Sequence, residues 1–76
     1  MHWSQRVNFM LGMPVCVSFT DGSWVSGVLC TAQNGVIHVI ECINQNQFIT
    51  NEYPYYRIMD ITAFPSCNPM AGIMPF

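Results

Sequence analysis

Seventy-six residues and 8.6 kDa leave room for one small domain and no second one. Half of the residues are apolar, 51%, with a mean hydropathy of +0.29, which excludes a disordered chain. Only 8% are charged, against about 25% in an ordinary soluble domain. The charges are Arg6, Arg57, Asp21, Glu41, Glu52 and Asp60, with no lysine and a net charge of −2. A chain of this mass exposes roughly 4,700 Å², or about one charge per 800 Å², far sparser than a well-solvated monomer carries. Such a surface favours an oligomer, a filament or a shell component. Two arginines offer little attraction for phosphate, which counts against a nucleic-acid partner.

No apolar run approaches the 18 or so residues of a membrane span. The stretch "MHWSQRVNFMLGMPV" is broken by Ser4, Gln5, Arg6 and Asn8 and has no signal-peptide core. The expectation is a chain made in the cytoplasm, with no membrane partner. Cys16, Cys30, Cys42 and Cys67 form no CxxC pair, so the sequence suggests neither a metal site nor a cofactor. Four cysteines allow three pairings within one chain, and spacing does not choose among them.

In chain order, residues 4 to 11 read as a helix. Ser4 is placed to cap it, Val7, Met10 and Leu11 share a face, and Gly12 stands where a helix stops. After Pro14 the period changes to two. Val15, Val17 and Phe19 share one side of the first strand, with Cys16, Ser18 and Thr20 on the other. Asp21-Gly22 is a hairpin signal. The second strand sets Val25, Gly27 and Leu29 against Trp24, Ser26, Val28 and Cys30, and Gly27 inside it marks a bend or a close backbone approach. Gln33 to Gly35 turn into a third strand, "VIHVIECI", apolar on both sides and so doubly covered or laid against another subunit. Asn44 to Gln47 lead to the fourth strand, "FITNEY", and a fifth runs from Ile58 to Phe64. Residues 65–76, with three prolines, read as an extended arm whose apolar teeth are Met70, Ile73, Met74 and Phe76. The expected fold is mainly β: a short N-terminal helix and a five-stranded, strongly bent closed barrel of SH3 type in residues 1–64, then the arm.

The order "LGMPVCVSFTDGSWVSGVLCTAQNGVIHV…RIMDI" resembles the Sm and Sm-like proteins, including the Hfq branch, over residues 5 to 63. The likeness rests on the helix-Gly lead-in, the alternation of Val15, Val17 and Phe19, the Asp-Gly turn, Gly27, and the closing Ile58 and Ile61. More narrowly, the chain is similar to small Sm-like proteins of endospore-forming bacteria, which implies deposition on or around a spore or release on lysis. In the Sm family an acid six residues after the strand-two glycine and an asparagine ten after it help build a nucleobase pocket. Here those positions hold Gln33 and Ile37. The family's basic element before the last strand corresponds to "YPYYRIMD", with Arg57 beside Tyr53, Tyr55 and Tyr56 as stacking platforms. The plainer reading is a turn whose aromatics pack between subunits while Arg57 pairs with Glu52 or Asp60.

His38, mid-strand, reads as a hydrogen-bonded core or interface residue, and His2 lies at a terminus. No GxSxG, HExxH or P-loop is present, and an enzyme with a small-molecule substrate is not expected. Cys16 and Cys30 are expected to face away from the core, within reach of Cys67 on a neighbouring chain's arm, so that oxidation would cross-link an assembly. The arm itself is expected to dock along a neighbouring subunit. The preferred function is a structural self-assembling protein whose partner is itself, in rings, tubes or fibres. The alternative is an Sm-like RNA-binding ring.

Overall fold

The computed structural model describes residues 2–64. The expectations for the arm, including Cys67, Met70, Ile73, Met74 and Phe76, lie outside the described residues. The elements are α1 (Trp3–Arg6) with a 3-10 turn (Val7–Met10), β1 (Pro14–Phe19), β2 (Trp24–Gln33), β3 (Val36–Asn44), β4 (Gln47–Pro54), a second 3-10 turn (Tyr55–Arg57) and β5 (Ile58–Ala63).

The helix begins earlier than its sequence suggests. His2, not Ser4, is the cap: its Nδ1 accepts from the Ser4 amide at 3.1 Å. Trp3 is then the first helical residue and is buried, with its ring edge-on to Tyr55 at 4.8 Å. The last turn tightens to 3-10 form, which buries Val7 and Met10 but rotates Leu11 into solvent, 43% exposed.

All five strands are antiparallel, in the order β4-β3-β2-β1-β5. The expected closure is absent: the sheet has two ends, β4 and β5, joined only by the Tyr55–Arg57 turn. Pro54 has no N–H to give a ladder, and the 3-10 turn redirects the chain before β5 could pair with β4. The core lies on one side of the bent sheet. Val15, Val17, Phe19, Leu29, Ile37, Val39, Ile58 and Ile61 pack there with Trp3, Val7 and Met10.

Gly27 sets the bend. An added Cβ would run into the Ile40 carbonyl oxygen and sit 2.7 Å from Val39 Cγ1. Strands β2 and β3 therefore approach more closely here than any side chain permits. Two residues later the β2–β3 register slips between Leu29 and Thr31. Cys30 occupies the bulge, and Thr31 takes the position opposite His38. The second hairpin turns through Asn34 and Gly35, both at positive φ, as a two-residue turn requires.

Candidate functional site

Three features stand outside the core: an aromatic corner around Arg57, a polar row across β2–β4, and an apolar groove on the sheet side opposite the core.

The corner forms where the second 3-10 turn meets the β2–β3 turn. The Tyr55 amide donates to the Gly35 carbonyl at 2.8 Å, which fastens Tyr55–Arg57 beside the end of β2 and its exposed Gln33. The Arg57 carbonyl accepts from the Thr20 amide at 2.9 Å. Its guanidinium lies over the Phe19 ring, 5.1 Å from the centroid. The expected pairing of Arg57 with Glu52 or Asp60 does not occur. Asp60 instead accepts from Arg6 Nη2 at 2.7 Å, and Glu52 is taken by His38. The α1 helix supplies the competing arginine, a long-range contact that strand periodicity could not reveal.

The three tyrosines have separate environments. Tyr53 packs on Phe19 at 4.9 Å and donates its hydroxyl to Glu41. Burial, then the adjoining Glu41 carboxylate, pushes its pKa up to about 12. Tyr55 is half-buried against Trp3, and Tyr56 stands free at 83% exposure. Ile37 is fully buried in the core and presents nothing to solvent. What remains at the surface is Gln33, Tyr56 and Arg57. Nearby, hydrogen bonds from the Ser23 hydroxyl and amide hold the Asp21 carboxyl below its ordinary pKa, with a smaller contribution from Arg57.

The polar row is Thr31, His38 and Glu52, one residue from each of three neighbouring strands. Thr31 Oγ1 lies 2.7 Å from His38 Nδ1, and His38 Nε2 lies 3.0 Å from Glu52 Oε2. His38 is thus the hydrogen-bonded residue expected of it, on the side of the sheet away from the core. The Thr31 contact depends on the Cys30 bulge, and only the Glu52 contact could follow from strand alternation. Among the described residues no cluster of histidines, cysteines and carboxylates is arranged to hold a metal ion.

The cysteines divide differently from expectation. Cys30 and Cys42 are free and exposed, whereas Cys16, expected at the surface, is fully buried. Its side chain points away from the core cluster, between Ser26 and Thr62 on the adjoining strands, and is engaged in a disulfide. Next to it runs a shallow groove of about 230 Å³, lined by Pro14, Ser26, Gly27, Val28, Ile40, Cys42, Phe48 and Phe64. Sequence reasoning gave Cys42 no role. Its alternation with His38 and Ile40 on β3 was the available signal.

No protein-family model, curated protein or solved structure matches the chain. Among the described residues no helix is long and apolar enough to cross a membrane.

Proposed function

We propose that this chain is a structural, self-assembling protein of Sm-like architecture, in which the β4 edge of one copy pairs with the β5 edge of the next. The observation that carries this reading is the unclosed sheet, in which β4 and β5 are the two end strands among the described residues. A bare edge offers a row of N–H and C=O groups to another chain, and natural monomers guard it with charge, proline or a covering element. Here β4 has one charge, Glu52, already engaged by His38, and β5 has one, Asp60, engaged by Arg6. Exposed apolar side chains flank both edges: Phe48 at 66% and Ile49 on β4, Met59 at 59% on β5. Repeated strand addition of this kind generates a ring if the rotation closes and a fibre if it does not. Cys30, exposed in its bulge, is the described cysteine best placed to cross-link neighbouring copies.

The test is the oligomeric state by native mass spectrometry and light scattering. Wild-type protein at micromolar concentration is expected to be a stable oligomer. The double variant Ile49→Lys, Met59→Lys, which sets like charges on the two edges, is expected to run as a folded monomer. A wild-type monomer would overturn the reading.

An Sm-like RNA-binding ring is the second reading, favoured by one observation: Tyr56 and Arg57 are exposed together beside Gln33. A base could stack on Tyr56 with Arg57 at its backbone. The buried Ile37 and the net charge of −2 oppose it.

A further inference from the structure

The two end strands differ in what their outer edges offer. In an antiparallel pair, residues alternate between those that bond the neighbouring strand and those whose main chain turns away from it. The Phe64 amide donates to the Pro14 carbonyl at 3.2 Å, so Thr62 and Asp60 bond β1 and Ile61 turns its N–H and C=O outward. At the other end, the Tyr55 amide donates to the Gly35 carbonyl, so Tyr53, Asn51 and Ile49 bond β3. Phe48, Thr50 and Glu52 then turn their main-chain groups to the open side of β4.

At Ile61 both outward groups are already taken. The amide donates to Asp60 Oδ1 at 2.9 Å, and the carbonyl accepts from Arg6 Nη2 at 3.0 Å. The same Nη2 donates to the same Asp60 oxygen at 2.7 Å, which closes a ring of hydrogen bonds in the middle of β5. The ring is anchored from both sides. The Ile61 side chain is fully buried, and Arg6 ends α1, whose Trp3 is buried in the core. It can nonetheless open, because the Arg6 and Asp60 side chains are 30% and 46% exposed and water can take over their bonds. An incoming strand would restore both bonds of Ile61, so only the contacts of Arg6 are given up. Among the described residues, no side chain closes the outward groups of Phe48, Thr50 and Glu52 in this way.

We propose that Arg6 and Asp60 form a latch over the β5 edge, which the β4 strand of a neighbouring copy must displace before the two strands pair. This rests on the edge pairing proposed above and supplies its control. The β4 edge stands ready, and the β5 edge is competent only in copies whose Arg6 has swung away. The apparent affinity of one copy for the next is reduced by the fraction of copies in that open state. A contact at the N-terminal helix thus sets the concentration at which the chain assembles.

The experiment is a dilution series of the full-length chain, followed by light scattering, for wild type, Arg6→Met and Asp60→Asn. Methionine keeps the helix preference of arginine but removes its donors. Asparagine keeps an oxygen for the Ile61 amide and removes the charge. Circular dichroism identifies the variants that fold. Each folded variant is expected to reach half assembly at a concentration at least about tenfold below that of wild type. Adding Ile49→Lys and Met59→Lys is expected to return it to a monomer. An equal or higher midpoint in either folded variant, beside an oligomeric wild type, would overturn the latch and leave edge pairing standing. A monomeric wild type beside assembling variants would uphold the latch and overturn the stable wild-type assembly. If all three stay monomeric, latch and edge pairing fall together. Assembly that survives the paired lysines would place the contact away from the edges and overturn both.

Discussion

Tyr53 shows how one side chain can report the fold around it. Its pKa of about 12 arises first from burial against Phe19 and second from the Glu41 carboxylate that accepts its hydroxyl. The folded value lies above the unfolded value of about 10, so the protonated tyrosine contributes its stability below pH 10. That contribution is lost as pH rises from about 10 towards 12. In an absorbance titration, Tyr53 is expected to ionise with a midpoint near 12, above the usual tyrosine value of about 10. Glu41→Gln should bring its midpoint part of the way down, because burial remains. A midpoint unchanged by Glu41→Gln would mean that the carboxylate has no part in the shift. The cysteines give a second prediction at this scale. A brief pulse of iodoacetamide under native conditions is expected to alkylate Cys30 and leave Cys16 unmodified, since Cys16 is fully buried and engaged in a disulfide. Peptide mapping that finds Cys16 labelled as fast as Cys30 would refute its engagement in that bond.

At the scale of elements, Gly27 decides whether β2 and β3 can approach. Gly27→Ala would press a methyl group into the Ile40 carbonyl and Val39, so either the strands separate or the bend relaxes. The expected loss is about 2 kcal/mol or more, read by urea denaturation. A variant as stable as wild type would show that the close approach is dispensable. The strong periodicities were legible without coordinates: the inward set Val15, Val17, Phe19, Val25 and Leu29 is the set found on the core side. The Asp-Gly and Asn-Gly turns also stand where their residue types demand, with Gly22, Asn34 and Gly35 at positive φ. What the residues did not reveal depends on contacts distant in sequence. The Cys30 bulge, which pairs Thr31 with His38, comes from a register slip that no local pattern encodes. The capture of Asp60 by Arg6 spans the chain and leaves Arg57 to Phe19. Trp3 enters the core because His2 takes over the cap, a choice that propensity alone would give to Ser4.

For the whole molecule, charge and shape bear on the two functional readings in opposite ways. An edge-paired assembly gains from a surface poor in charge, because apolar side chains beside β4 and β5 become buried while few ions are stripped of water. A nucleic-acid ring gains nothing from it. Each added copy brings a net charge of −2, so the assembled body repels a phosphate backbone more strongly as it grows. Against this stand Tyr56 and Arg57, where stacking contributes roughly 1–3 kcal/mol per base. Arg57 is already drawn over Phe19, and the Asp21 carboxylate also acts on it. Any base held on Tyr56 would therefore find its one cation partly engaged. Binding of oligo-U or oligo-A at about 150 mM salt is accordingly expected to be no tighter than micromolar, and alike for the two sequences. Fluorescence anisotropy with labelled oligonucleotides, on wild type and on Arg57→Ala, measures this directly. Submicromolar binding that Arg57→Ala abolishes would make the aromatic corner a working nucleotide site, and the RNA-binding ring would then displace the structural assembly as the function of this fold.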